Sequence, residues 1–229
     1  MKDLLEDLSV EAKVLGAAAD KWVQVSLSGE DETVATNLLA RDFGFCPITL
    51  EKAKAAGALK GYVVNLAEST KELRVDVGIF QPATVYASVP LKHLQAELAG
   101  GKDIPLKKLA EMWGLSDNLP LTIKITGATA KGNRLDAELD ASQIEKFKLW
   151  RDSLLDRLII LGASDYQVKL AVEQAGLNRD VIDVDALGMF EHALVCKLGT
   201  DAAGLVPRLG RNLHKATFNV FGPRKLLFC

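Results

Sequence analysis

Five runs of alternating apolar and polar residues constrain this chain more than any other feature. They cover Ala58–Leu66, Lys71–Ile79, Ala83–Val89, Leu119–Gly127 and Asn133–Leu139. A period of two is the signature of a strand with one face buried. Between the third and fourth runs lies KDIPLKKLAEMWGL, where Leu106, Leu109, Ala110 and Trp113 fall on one face of a helix. Asp103 is placed to cap that helix, Pro105 suits its first turn and Gly114 its end. Three strands, a helix and two strands is the element order of a five-stranded OB barrel, here over residues 58–140. Gly78 then has a reason, because a strand that coils into a closed barrel needs a point of sharp twist.

The flanks read differently. In residues 1–57, Leu4, Leu8, Ala12, Leu15 and Ala19 recur at helical spacing, WVQVSLS alternates as a strand, and GEDETVATNLLARDFG reads as a helix stopped at Gly44. One strand between two helices is an incomplete sheet. In residues 141–229 the reading is a helix to Asp156, then RLIIL as a strand and a helix capped by Ser164 with Gln167. DVIDVDA and MFEHALVCK follow as strands, then a helix near Asp201–Leu213, kinked or restarted at Pro207, and a last strand ATFNVF. The string βαββαβ is that of a ferredoxin-like sandwich. The expected class is α+β: an N-terminal α/β segment, a central OB-like barrel and a C-terminal ferredoxin-like unit.

Charge is polarised along the chain. Residues 1–57 hold six basic and ten acidic side chains, residues 58–140 ten of each, and residues 141–229 twelve and ten. After Asp201 no acid occurs, whereas Arg208, Arg211, Lys215, Arg224 and Lys225 do. Cys46, Cys196 and Cys229 are far apart with no C-x-x-C pair, which fits reduced thiols in a cytoplasm. No apolar run approaches the roughly 20 residues of a membrane span, and the acidic start is unlike a secretory signal.

Catalytic and metal signatures are weak. Glu191, His192 and Cys196 lie close in sequence, but on a strand His192 and Cys196 stand roughly 13 Å apart, too far to share one zinc ion. That pattern reads as a half-buried strand, and His93 and His214 have no companion ligand nearby. GTDAAGLVPRLG lacks the lysine of a P-loop and reads as a helix cap at Asp201. Neither a nucleophile–base pair nor a cofactor loop stands out, so no cofactor and no metal are expected.

The barrel offers more. Leu73, Val75, Val77 and Ile79 point inward, leaving an outer face with Arg74, Phe80, Tyr86, Lys124 and Arg134. Aromatics between cations suit stacked bases and a phosphate backbone, although Asp76, Asp136 and Glu138 share that face. The alternative is a mixed polar surface with Phe80 and Tyr86 packed on a neighbouring unit.

Four stretches carry a family resemblance: GEDETVATNLLARDFG, LSDNLPLTIKITG, SQIEKFKLWRDSLLDRLIILGAS and ALGMFEHALVCKLGTDAAGLVPRLG. They resemble an archaeal family of uncharacterised proteins, domain of unknown function 2110, whose leading strand is missing here ahead of the first helix. The resemblance implies an archaeal cytoplasmic protein linked with information processing and transfers no catalytic residue. The middle segment separately resembles the RNA-binding barrel of ribosomal protein S-one, through Gly61, Val63, Val75, Asp76, Val77, Gly78 and Leu94. Arg74 stands where that family carries an aromatic. The expectation is a non-enzymatic RNA-binding accessory protein of translation or transcription, with a ribosomal or RNA-polymerase partner. The barrel face and the basic Arg208, Arg211, Lys215, Arg224 and Lys225, which have no acid near them in sequence to neutralise them, are expected to contact RNA, and the acidic N-terminal segment to face a protein. A protein-interaction scaffold that touches no RNA is the alternative, and an RNA-modifying enzyme the least supported reading.

Overall fold

A computed structural model describes residues 5–18, 22–128 and 134–227. Its first element corrects the sequence reading. Val10–Ala18 forms strand β1, not a helix, and pairs antiparallel with β2 (Trp22–Gly29) from Val10 opposite Gly29 to Ala18 opposite Trp22. Leu4 and Ala19, which carried part of the helical pattern, lie outside the described residues. Val10, Ala12 and Val14 also alternate, and Gly16 would cost a helix interior about 1 kcal/mol. At Gly16 the hairpin carries a register shift instead. The strand that the first sheet lacked is therefore this one.

Helix α1 (Glu32–Asp42) follows, with Gly44 at φ +77° just beyond it. Asp31 does not cap α1; its carboxylate accepts a hydrogen bond from the Ser9 amide at 2.8 Å and ties the helix start to the entry of β1. A two-residue strand β3 (Ile48–Thr49) and the short helix α2 (Leu50–Ala55) lead into the barrel.

The barrel strands are β4 (Ala58–Val64), β5 (Glu72–Gln81), β6 (Val85–Pro90), β7 (Pro120–Ala128) and β8 (Leu135–Leu139). β4 pairs antiparallel with β5 and β7, β5 with β6, and β7 with β8, while β6 and β8 pair in parallel and close the ring. β3 lies parallel to β5 outside the ring. Val63, Leu73, Val75, Ala87, Val89, Ile123 and Leu135 are fully buried inside it. Gly78, at φ +79°, sits where the β5–β6 register shifts between Asp76 and Ile79. It has a second role, because a Cβ there would collide with the Cys46 side chain and come within 2.9 Å of Trp22.

Two helices, not one, connect β6 to β7: α3 (Leu91–Ala99) and α4 (Leu106–Trp113). Asp103 is not a cap. Its carboxylate accepts from Gln95 Nε2 at 3.1 Å, and Gln95 also donates to the Ile104 carbonyl, so the pair pins the α3–α4 loop. Pro105 occupies the capping position and Gly114, at φ +66°, ends α4.

After α5 (Ala141–Asp152) come β9 (Arg157–Leu161), α6 (Asp165–Gln174), β10 (Val181–Ala186), β11 (Glu191–Cys196), α7 (Ala202–Leu209), β12 (Thr217–Phe221) and α8 (Arg224–Leu227). The strands form an antiparallel sheet ordered β10-β11-β9-β12. Ser164 and Gln167 make the capping box. α7 starts at Ala202, with Asp201 accepting from the Ala203 amide, and runs through Pro207 to stop two residues later. Leu158, Ile160, Leu194 and Cys196 on one sheet face pack with Val168 and Ala171 of α6 and Leu205 and Leu209 of α7. The other face, through Ile159, Ala193 and Phe221, joins the barrel core. Trp113, Phe147, Trp150 and Phe221 seal that junction, with ring centroids 5.3–5.9 Å apart. Among the described residues no helix is long and apolar enough to cross a membrane.

Candidate nucleic-acid interface

Strand alternation turns Glu72 and Arg74 of β5 outward beside Thr84, Tyr86 and Ser88, with Arg74 opposite Ser88 and Asp76 opposite Tyr86. The parallel β6–β8 pairing sets Ser88 against Asp136 and so brings Arg134 to the same place. Glu72, Arg74, Thr84, Tyr86, Ser88 and Arg134 line one open cleft of about 370 Å³.

Glu72 is its hub. The carboxylate accepts from Ser88 Oγ at 2.6 Å, from Arg74 Nε at 3.1 Å and from Arg134 Nη1 at 3.2 Å. Arg134 also reaches Asp136 at 3.2 Å. The Ser88 hydroxyl first, then the two guanidiniums, hold the Glu72 carboxyl below its ordinary value, so it is ionised at neutral pH. Both arginines keep over two fifths of their side-chain surface in solvent. Tyr86 is half-buried and lines the same cleft as the two arginines. Such an arrangement can stack a base and offer guanidinium forks to flanking phosphates.

The other expected face residues are elsewhere. Phe80 is half-buried beyond Gly78 and does not line this cleft. Lys124 pairs with Glu138 at 3.2 Å and lines a separate cleft with His93, Glu97 and Ile144. Asp76 is buried: it accepts from the Gly78 amide, beside Trp22, whose ring meets Tyr62 edge-on at 5.4 Å.

The basic C-terminal stretch is corrected in two ways. Arg208 is not free of acids, because the fold brings Asp180 to 3.7 Å from it, and its guanidinium also donates to the Ala175 carbonyl. The remaining cations do not form one patch. Arg211 and Lys215 are exposed before β12, and Arg224 and Lys225 are exposed after it, with roughly 17 Å of strand between. Arg224 shares a small cleft with Asp156 and Asp201.

The EHALVC strand is buried at every position, not half-buried, because helices cover one face of its sheet and the barrel core the other. Burial pushes the Cys196 thiol up to about 11 and the His192 imidazole down, so both are neutral at pH 7. Cys46 is a half-buried free thiol, and Cys229 lies outside the described residues. Among the described residues no group of three or more His, Cys, Asp or Glu could hold a metal.

The sequence reading missed Glu72, although it was legible two residues before Arg74 on the same strand face. Glu191 was named there only as a neighbour of His192 and Cys196, without the contacts that the fold gives it. Its carboxylate folds over Gly188, accepts from the Phe190 amide at 3.2 Å, and is raised in pKa by burial. Burial, and after it the charge of Glu191, push the Tyr62 hydroxyl up to about 12.

No curated protein matches the chain. Residues 1–47, the hairpin with α1, match the DUF2110 N-terminal domain, and residues 155–221, the four-stranded sheet with its helices, match the DUF2110 C-terminal domain. The barrel lies between these two matched stretches, and the chain is thus similar at both ends to DUF2110, a family of domains of unknown function.

Proposed function

We propose that this protein is a non-enzymatic RNA-binding accessory protein that holds single-stranded RNA on the β5–β6 face of its barrel. The observation that carries the reading is the convergence of Tyr86, Arg74 and Arg134 in one open cleft. We read the barrel as an OB barrel of the S-one type, whose second and third strands form the usual oligonucleotide face. β5 and β6 are those strands here. The C-terminal unit is read as a ferredoxin-like sandwich that braces the barrel through the Trp113–Phe221 junction. The archaeal, cytoplasmic setting and a role beside the ribosome or RNA polymerase rest on the family resemblance.

Binding, not catalysis, is supported by how the cleft is satisfied. Glu72 is spoken for by two guanidiniums and a hydroxyl, which leaves it neither basic nor free to act as a nucleophile. The four charges Glu72, Arg74, Arg134 and Asp136 cancel, so stacking on Tyr86 must supply much of the affinity.

Fluorescence anisotropy with labelled single-stranded RNA tests the reading. Tyr86→Ala should cost about 1–3 kcal/mol of binding. Two phosphate contacts give log affinity a slope of about −1.4 against log salt. RNA that binds equally well to Tyr86→Ala, or does not bind at all, hands the case to the scaffold reading.

A further inference from the structure

The N-terminal hairpin is the least complete part of the fold. A two-stranded sheet is marginal in water unless further strands or a helix support its apolar face. Here α1 packs on β2, and Trp22 of β2 touches the barrel at Tyr62 and Gly78. β1 lies beyond β2. Among the described residues no strand pairs with its other edge, which runs for nine residues. Val14 is 55 % exposed and Leu15 56 %. The edge carries neither a proline nor a run of like charge, and its bulge near Gly16 lies beyond the stretch Val10–Val14.

The edge also has a symmetry of its own. Val10-Glu11-Ala12-Lys13-Val14 reads the same in both directions in size and polarity, with opposite charges at mirrored places. We propose that β1 pairs antiparallel with β1 of a second copy of this chain, about a twofold axis at Ala12. Val10 then faces the partner's Val14, Ala12 faces Ala12 of the partner subunit, and Glu11 faces the partner's Lys13, each contact made twice. Glu11 and Lys13 are both exposed and make no ion pair within the chain among the described residues. A twofold axis normal to the sheet keeps like faces together. Val10, Ala12, Val14, Val25 and Leu27 of both copies become one apolar face of a four-stranded sheet, with both α1 helices on it.

Charge complementarity selects a second copy as the occupant, and it sets the test. Sedimentation equilibrium of the full chain should show a monomer–dimer equilibrium. Glu11→Lys turns two attractive cross-strand pairs into repulsive ones and should weaken the dimer about tenfold or more. The exchange Glu11→Lys with Lys13→Glu restores both pairs and should restore the dimer. Ala12→Cys should crosslink to itself on oxidation, above the level of the unaltered chain. A chain that stays monomeric overturns the proposal. So does a dimer that ignores Glu11→Lys or fails to recover in the exchange variant, since its interface then lies elsewhere.

Discussion

Replacing Glu72 by Gln should tighten RNA binding, an unusual outcome for a substitution inside a binding cleft. The Glu72 carboxylate lies within 3.2 Å of both Arg74 and Arg134 and neutralises each in part. A phosphate that meets either guanidinium comes to about 6 Å from that carboxylate, where repulsion is about 0.7 kcal/mol even at the dielectric of bulk water. Two phosphates double this to about 1.4 kcal/mol, or about tenfold in affinity. Gln keeps an acceptor for Ser88 Oγ, so the strand pair should survive. The ion pairs are solvent-exposed on the arginine side, and their loss should cost about 1 kcal/mol of stability or less. Anisotropy titrations at several salt concentrations, with thermal unfolding alongside, measure both quantities. Unchanged or weaker RNA affinity in a folded Glu72→Gln protein would refute the reasoning, because it would mean that no phosphate approaches these guanidiniums.

Three further outcomes concern the scaffold. Gly78→Ala forces a side chain into a left-handed position against Cys46 and Trp22, and should cost about 2–4 kcal/mol in denaturant unfolding. Phe221→Ala empties the aromatic junction between barrel and sheet and should cost about 3–5 kcal/mol. Glu191 has a raised pKa in the folded state, so its neutral form favours the fold below the ordinary value of 4.5, and that contribution is lost as pH rises through the folded pKa. Glu191→Gln should therefore raise the melting temperature at neutral pH and leave it unchanged in strong acid. An equal shift at both pH values would show that ionisation is not the cause.

The barrel was legible because each of its strands buries one face, and Val63, Leu73, Val75 and Val77 announce that face at period two. Helix α3 was legible too but overlooked: Leu91, Leu94, Gln95 and Leu98 follow helical spacing, hidden behind Pro90. The N-terminal strand was ambiguous, since its apolar residues satisfy both periods and only the pairing with Trp22–Gly29 decides between them. Alternation turned Arg74 and Tyr86 to the outer face of the barrel, where both line one cleft. Sequence alone could not separate Lys124 from them, because that depends on the ring closing between β6 and β8. Arg208 was misjudged for a related reason. An acid absent from the neighbouring sequence arrived from the α6–β10 connection, as Asp180.

The central claim is that RNA lies on Tyr86, and cross-linking measures this most directly. Labelled single-stranded RNA irradiated on the full-length protein and digested should leave a nucleotide adduct on the peptide that contains Tyr86. That adduct should disappear in Tyr86→Ala and grow in Glu72→Gln. Adducts confined to the segment from Arg211 to Lys225, with none on β5 or β6, would contradict the account.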